Sequence, residues 1–340
     1  MTATRWKPWG SPISEWAGRV NKHSFTNNRR VALVAGGAGF LGSHLCEYLI
    51  KRKWRVICID NLITGSILNI KHLRNYPEFK FINKDITQPL NIPGKVGVIF
   101  NLASPASPKD YLALPLETLS AGAIGTRNLL DLALAKQAVF IHTSTSEVYG
   151  DPKEHPQKES YWGNVNPVGP RAVYDEAKRY SEALIMSYYH LYKIPVRIAR
   201  IFNTYGPRMK IDDGRVVPNL IYQALTGGPL TIYGNGLQTR SFCYISDMIS
   251  GLYKLIRFND PFPVNLGNPR EFTIIEFARL VKKLTRSSSP IKFYPTVPDD
   301  PQRRCPDITR AQTLLKWRPK VELEQGLLRT IRWFQEHISL

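Results

Sequence analysis

Hydrophobic residues fall along this chain in short runs separated by longer amphipathic stretches. The first run, Val31-Ala32-Leu33-Val34-Ala35, ends in Gly36-Gly37-Ala38-Gly39-Phe40-Leu41-Gly42. Leu41, Leu45, Tyr48 and Leu49 then recur at helical spacing, and a second apolar run, Val56–Ile59, stops at Asp60. Phe79–Asn83, Val96–Leu102, Ala138–His142 and Val196–Phe202 read as further strands, with helical patterns over Leu116–Ala135 and from Tyr174 to Tyr192. This alternation predicts an α/β fold, a Rossmann-type doubly wound parallel sheet whose ligand crevice lies at the carboxyl ends of its strands. Past residue 203 the pattern turns irregular. It predicts helix Val216–Thr226, short strands at Leu230–Tyr233 and Arg240–Ile245, and helices near Asp247–Arg257 and Ile274–Leu284. A polar segment Pro298–Asp307 and a last amphipathic helix around Leu323–Phe334 follow. The expected division is a flexible leader over 1–30, a Rossmann domain over 31–202, and a smaller substrate-binding lobe over 203–340 interleaved with the last sheet strands.

Strand, glycine-rich turn, helix, strand and acid form the dinucleotide-binding unit. Gly36 permits the tight turn, Gly39 lets the backbone approach a pyrophosphate, and Gly42 allows close helix packing, with Phe40 and Leu41 opening the helix. The helix N-terminus contributes free N–H groups and a favourable dipole for an anion. Asp60, followed by Asn61, can accept the ribose hydroxyls, and its charge repels a 2′-phosphate, which favours NAD over NADP. Asp85 and Ile86 are placed to meet the adenine, and Leu102, Ala103 and Ser104 close a strand with small residues suited to a nearby cofactor.

The chemistry concentrates in Thr143–Lys178. Thr145, Ser146 and Glu147 emerge at the end of a strand, and after a Pro-rich loop a helix opens with Tyr174 and Lys178. A tyrosine and a lysine four apart share a helix face, and the ammonium is expected to lower the phenol's pKa so that it can take a proton from an alcohol. The same spacing occurs at Tyr76/Lys80, Tyr149/Lys153 and Tyr189/Lys193, but prolines interrupt the first two and the third ends a helix. Only Tyr174/Lys178 opens a helix one connection after the hydroxyl-rich strand end.

The remaining properties narrow the function. At 340 residues the chain can hold a substantial core. Its formal charge of +19 raises the question of nucleic acid, but the Lys and Arg residues are dispersed and no recognition motif accompanies them. A basic surface that attracts small anionic substrates is the simpler reading, with no nucleic-acid partner. No apolar run is long enough to span a membrane, and the first thirty residues lack the apolar stretch of a secretory signal. Cys46, Cys58, Cys243 and Cys305 lack paired metal spacing, so no metal site and a cytoplasmic location are expected.

Together these motifs resemble the extended short-chain dehydrogenase/reductase family of nucleotide-sugar enzymes. The likeness runs from Val31 to Phe334, with Tyr174/Lys178 as the catalytic dyad and Arg200-Ile201-Phe202-Asn203-Thr204-Tyr205-Gly206-Pro207 as a marker. Within the family the chain is most similar to the branch that decarboxylates UDP-glucuronate. That likeness rests on Leu102-Ala103-Ser104-Pro105-Ala106-Ser107-Pro108, Ser144-Thr145-Ser146-Glu147-Val148-Tyr149-Gly150-Asp151-Pro152 and Tyr161-Trp162-Gly163 with Asn166-Pro167. Gly169-Pro170-Arg171, Asp213-Gly214-Arg215-Val216-Val217 and Asp299-Asp300-Pro301-Gln302-Arg303-Arg304 add to it. Dehydratases of the family carry Asp-Glu where this chain has Ser146-Glu147, and Arg304 matches the family's arginine near the sugar carboxylate.

The resemblance implies oxidation at C4 by NAD⁺ with Tyr174 as base, decarboxylation of the 4-ketone, and return of the hydride to give UDP-xylose. Thr145 or Ser146 would bond the C4 hydroxyl, while Glu147 and Arg304 would govern carboxylate placement and C5 reprotonation. It further implies that Asn203 and Arg240 contact the pyrophosphate, that Arg208 is among the substrate-binding residues, that Arg215, Val217 and Tyr233 surround the uridine, and that Tyr111 reaches the substrate carboxylate. A homodimer through a four-helix bundle of Leu116–Ala135 and Tyr174–Tyr192 is expected. Two departures stand out: Ser120-Ala121-Gly122-Ala123 replaces a more polar Thr-Asn-Thr, and Cys305 stands where lysine is common. Alternatives at this level are a 4-epimerase, a decarboxylase that stops at the 4-keto pentose, or a non-catalytic NAD-binding protein with an anionic partner.

Overall fold

The computed structural model describes residues 30–296 and 301–338, so the leader up to residue 29 and residues 299–300 of the acidic motif lie outside it. In the first half, β1 (Val31–Ala35), α1 (Phe40–Ile50), β2 (Arg55–Asp60), β3 (Phe79–Asn83) and β4 (Val98–Asn101) are followed by α2 (Pro108–Ala113), α3 (Pro115–Ser120), α4 (Thr126–Lys136) and β5 (Val139–Thr145). Then come α5 (Ala172–Tyr192), β6 (Val196–Ile201), β7 (Thr204–Tyr205), α6 (Val216–Thr226), β8 (Leu230–Tyr233), β9 (Thr239–Ser241), β10 (Cys243–Tyr244) and α7 (Ile245–Leu255). The chain closes with β11 (Val264–Leu266), β12 (Glu271–Thr273), α8 (Ile274–Thr285), β13 (Ile291–Tyr294), β14 (Arg303–Arg304), α9 (Thr309–Leu315) and α10 (Leu323–His337).

Seven strands form one sheet in the order β11-β6-β5-β4-β1-β2-β3, all paired in parallel. Order 3-2-1-4-5-6 within it is the doubly wound arrangement, and the switch point lies between β1 and β4. Side chains alternate across the pleat, so Ala32, Val34, Val98 and Phe100 enter one apolar layer and Leu33, Ala35, Ile99 and Phe140 the other. With both faces covered, the strands read as unbroken apolar runs. The first layer continues into α6, α7, α8 and α10, which joins the C-terminal half to the sheet through one core. Truncating a fully buried member such as Leu45 to Ala removes about 2–5 kcal/mol.

Several expectations needed adjustment. The helical pattern over Leu116–Ala135 is broken: α3 ends at Ser120, a π turn spans Ala121–Gly125, and α4 resumes at Thr126. The cause is close packing, since a Cβ on Gly122 would stand 2.8 Å from the Ala177 methyl of α5. The small residues that depart from the family's polar triplet sit at this contact. Arg240–Ile245 is two short strands rather than one, β11, β12 and β13 lie in segments whose short apolar runs gave no signal, and β14 falls in the segment read as polar.

Candidate active site

β5 runs three residues past the last that pairs with β4 and delivers Thr145 to the sheet's carboxyl edge. A 3₁₀ turn, Ser146–Tyr149, begins there because Thr145 Oγ1 accepts from the Glu147 N–H at 3.2 Å. Opposite, α5 presents Tyr174 and Lys178, both more than nine-tenths buried. Its orientation is fixed from beneath: Glu182 receives Arg200 of β6 at 2.8 Å and the Ser144 hydroxyl of β5 at 2.6 Å. Lys178 Nζ donates to Thr143 O at 2.8 Å, and the Thr145 side chain hydrogen-bonds the Tyr174 phenol. Tyr111 stacks flat on Tyr174, ring centroids 5.1 Å apart and planes 6° from parallel, with its own buried hydroxyl unpartnered.

The expected effect of Lys178 on the phenol is corrected here. Burial, then the Glu147 carboxylate, push the Tyr174 pKa up, and the opposing influences are Thr145 and Arg215 rather than Lys178. Lys178 is itself lowered to about 8 by burial, with Glu182 opposing. An ammonium directed at the Thr143 carbonyl stabilises the strand end and holds the helix more than it acidifies the ring.

Glu147 sits between two guanidinium groups, Arg171 at 2.5 Å and Arg304 at 3.6 Å. Burial raises its pKa, but the two arginines outweigh that and hold it below the usual carboxylate range. Arg304 arrives on β14, which pairs β9 with Arg304 opposite Arg240. Arg171 precedes α5, one turn before Asp175, whose carboxyl hydrogen-bonds Glu147 and is raised to about 8 by burial and by that carboxylate. Arg171 was read from the sequence only as part of a family motif, with no role in the site, and Asp175 was not singled out. The available signal was an Arg and an Asp four apart flanking the tyrosine at a helix start.

A cleft of about 750 Å³ brings these groups to the glycine turn. Thr145, Ser146, Glu147, Tyr174, Lys178 and Arg304 line it together with Gly36, Gly39, Phe40, Leu41 and Gly42, and with Asn203, Arg208 and Arg215. Arg208 is held by Glu47 at 2.5 Å, and Arg215 by Asp213. A second cavity of about 270 Å³ continues along the strand ends past Asp60, Asn61, Asp85, Ile86 and Ala103, with Leu102 and Ser104 lining both. Asp60 accepts from the Ala38 and Leu62 N–H groups at 2.9 and 2.8 Å, and burial raises its pKa against those bonds. Asp85 directs both oxygens to local partners, Thr87 and Asn61.

Four expected substrate residues do not line the cleft: Tyr111 is fully buried behind Tyr174, Val217 packs in the core, Tyr233 is exposed beside Tyr294, and Arg240 stands next to Arg304 in the sheet. The fold also gathers a group that cysteine spacing concealed. His155, Glu271 and Cys305 bring ligand-type atoms within 4.8 Å of one another, with His155 and Glu271 paired at 2.8 Å.

Comparison with known proteins bears on this geometry. The model of the GDP-mannose 4,6 dehydratase family matches residues 33–330. The chain is 51% identical over 312 residues to UDP-glucuronic acid decarboxylase 1 of Danio rerio, covering 92% of this chain and 74% of that one. It is 50% identical over 327 residues to UDP-glucuronic acid decarboxylase 6 of Arabidopsis thaliana, covering 96% and 93%. Among solved structures, UDP-glucuronic acid 4-epimerase from Bacillus cereus in complex with UDP-glucuronic acid and NAD superposes with a TM-score of 0.79 at 32% identity, over 90% of this chain and 99% of that one. UDP-glucose 4-epimerase from Thermotoga maritima superposes at 0.82 with 27% identity, over 90% and 99%.

Proposed function

The chain belongs to the GDP-mannose 4,6 dehydratase family, among the extended short-chain dehydrogenase/reductases, and from that premise we propose that it decarboxylates UDP-glucuronate to UDP-xylose, using NAD held in the cleft. The observation that carries this reading is Glu147 clamped between Arg171 and Arg304 beside Tyr174. A dehydratase needs an acid for the leaving hydroxyl, and Ser146 is a poor one. A pair of arginines around one carboxylate leaves a positive excess suited to a sugar carboxylate.

The residues fit the cofactor. A Cβ on Gly36 would stand 2.7 Å from the Ala103 backbone, and one on Gly42 would overlap the Gly36 carbonyl, so the turn is packed as closely as a pyrophosphate cradle requires. Asp60, beside the second cavity, would take the ribose, and the α1 N-terminus the pyrophosphate. Bound NAD⁺ would supply the hydride acceptor and a positive ring that favours the phenolate.

The chain's own groups do the rest. Tyr174 takes the C4 hydroxyl proton while Thr145 keeps its bond to the phenol oxygen, and Lys178 holds the strand end in place. The resulting ketone lies β to the carboxylate, so CO₂ can leave with its bonding pair delocalised into an enolate, and nearby hydroxyls stabilise that oxygen. Arg304 orients the departing carboxylate, and C5 then takes a proton. Asn203, Arg208 and Arg215, which line the cleft, would hold the nucleotide, and Tyr111 would brace Tyr174.

We also read the unit as a homodimer. Leu116, Leu119 and Ile124 along α3 and the π turn, with Tyr180, Leu191 and Tyr192 on α5, are each at least 41% exposed, an apolar face of the kind a four-helix bundle would cover. The activity is tested by incubating pure protein with UDP-glucuronate and following CO₂ and the product by NMR. UDP-xylose is expected. UDP-galacturonate would identify a 4-epimerase and overturn the reading, and a UDP-4-keto-pentose would restrict it to the first two steps.

A further inference from the structure

Decarboxylation of a β-keto acid consumes one proton, because the C5 carbon that loses CO₂ must gain hydrogen. The cleft wall shows one store for it. Glu147 lines the cleft, and Asp175 stands behind it, 5% exposed, its carboxyl hydrogen-bonded to Glu147. Two carboxyl groups in hydrogen-bond contact within a buried site cannot both ionise, so the pair carries a proton between them. Asp175 Oδ1 is buried and accepts from no donor group.

Resting on the decarboxylase reading, we propose that Asp175 is the proton reservoir of the reaction: it passes its proton to Glu147, and Glu147 delivers one to C5 of the enolate. The C5–carboxylate bond breaks, its electron pair enters the enolate, CO₂ departs, and the enolate carbon forms a C–H bond. Asp175 ends ionised and Glu147 returns to its carboxylate form. Asp175 acts through Glu147 and is a positioning and proton-holding residue rather than a catalytic one.

Charge counting supports this assignment. The groups facing the pair are Arg171, Arg304, Tyr111 and Tyr174, with Arg215 also within reach of Glu147 but neutralised by Asp213. Before reaction, two guanidinium cations are balanced by ionised Glu147 and the substrate carboxylate, with Asp175 neutral. After CO₂ has gone and C5 has been protonated, the same cations are balanced by Glu147 and Asp175. The buried cluster is neutral at both ends, and the new proton is needed only when product leaves. Burial and the neighbouring Glu147 raise Asp175 to about 8, which leaves it protonated at neutral pH.

Asp175→Asn keeps the shape and the neutral charge but cannot release a proton. In single-turnover experiments with UDP-glucuronate, the variant should reduce its bound NAD and release CO₂ within about threefold of wild type, with KM similarly unchanged. Its kcat should fall about 100-fold, reduced cofactor should accumulate in the steady state, and turnover in D₂O should slow further relative to H₂O. Wild-type kcat with no build-up of reduced cofactor would overturn the proposal, as would an equal loss in the oxidation step, which marks a structural role. Should Asn prevent folding, Asp175→Ser must show the same split between CO₂ release and turnover, and its absence there also overturns it. If wild type itself releases no CO₂ from UDP-glucuronate, the functional reading has failed instead.

Discussion

At Tyr174, burial and the Glu147 carboxylate oppose the phenolate, while Thr145 and Arg215 favour it. A group so placed is a strong base once it has lost its proton, and its hydroxyl is the only part of the ring that chemistry needs. Tyr174→Phe should therefore retain fold and cofactor while losing about 10²–10⁴-fold in turnover, checked by CO₂ release against cofactor content. The Tyr174/Lys178 pair was legible because helix geometry turns a spacing of four into a shared face. Glu147 and Arg304 were legible through their motifs. Arg171 and Asp175 were not, since their importance arises only when the 3₁₀ turn after β5 meets the start of α5, 24 residues further on in the case of Arg171. The lysine's electrostatic role was misjudged for a related reason: sequence spacing gives the distance along a helix and not the carbonyl that captures the ammonium.

For single elements, the parts that position the site are those whose patterns were strongest. β1, α1 and β2 follow one another with only short connections, and their glycines sit where any side chain would collide. Gly42→Ala is the sharpest test, because its Cβ would overlap the Gly36 carbonyl and force α1 away from the turn. The variant should lose about 1–3 kcal/mol of stability and bind NAD at least tenfold more weakly, read by urea unfolding and by isothermal titration. Gly122 shows where element reading fails. Its apolar periodicity predicts an unbroken helix, but contact with Ala177 and the Ser181 hydroxyl, which donates to Gly122 O at 2.8 Å, locks a π turn in its place. The short strands β12 and β14 were hidden because two or three residues carry no period, although β14 is what brings Arg304 to Glu147.

For the molecule as a whole, acid and assembly are the two conditions that should matter. His142 is buried with both ring nitrogens unpartnered, and burial lowers its pKa well below the ordinary value. His44, under Pro207 O at 2.9 Å, is lowered to about 4 by burial and then by Arg208. Because the unfolded chain binds these protons first, stability is full above the unfolded histidine value of 6.5 and falls as pH drops toward the folded ones. At pH 5 His44 alone accounts for a loss of about 2 kcal/mol, so urea midpoints should decline between pH 7 and 5, and His142→Leu should flatten that slope.

Assembly follows from the uncovered face. Leu116 is 73% exposed, Leu191 70% and Tyr180 53%, on helices that also carry Tyr174 and brace it through α3–α5 packing. A monomer with a formal charge of +19 would repel its copy at long range, so association must draw on apolar contact at this face. Replacing Leu116 and Tyr180 together by Glu should shift sedimentation from dimer to monomer at micromolar concentration. Since those helices position the tyrosine, the monomer should also turn over more slowly while its cofactor content stays near that of wild type. A variant that remains dimeric, or a wild-type chain that sediments as a monomer, would remove the four-helix bundle from the account and leave the cleft chemistry standing.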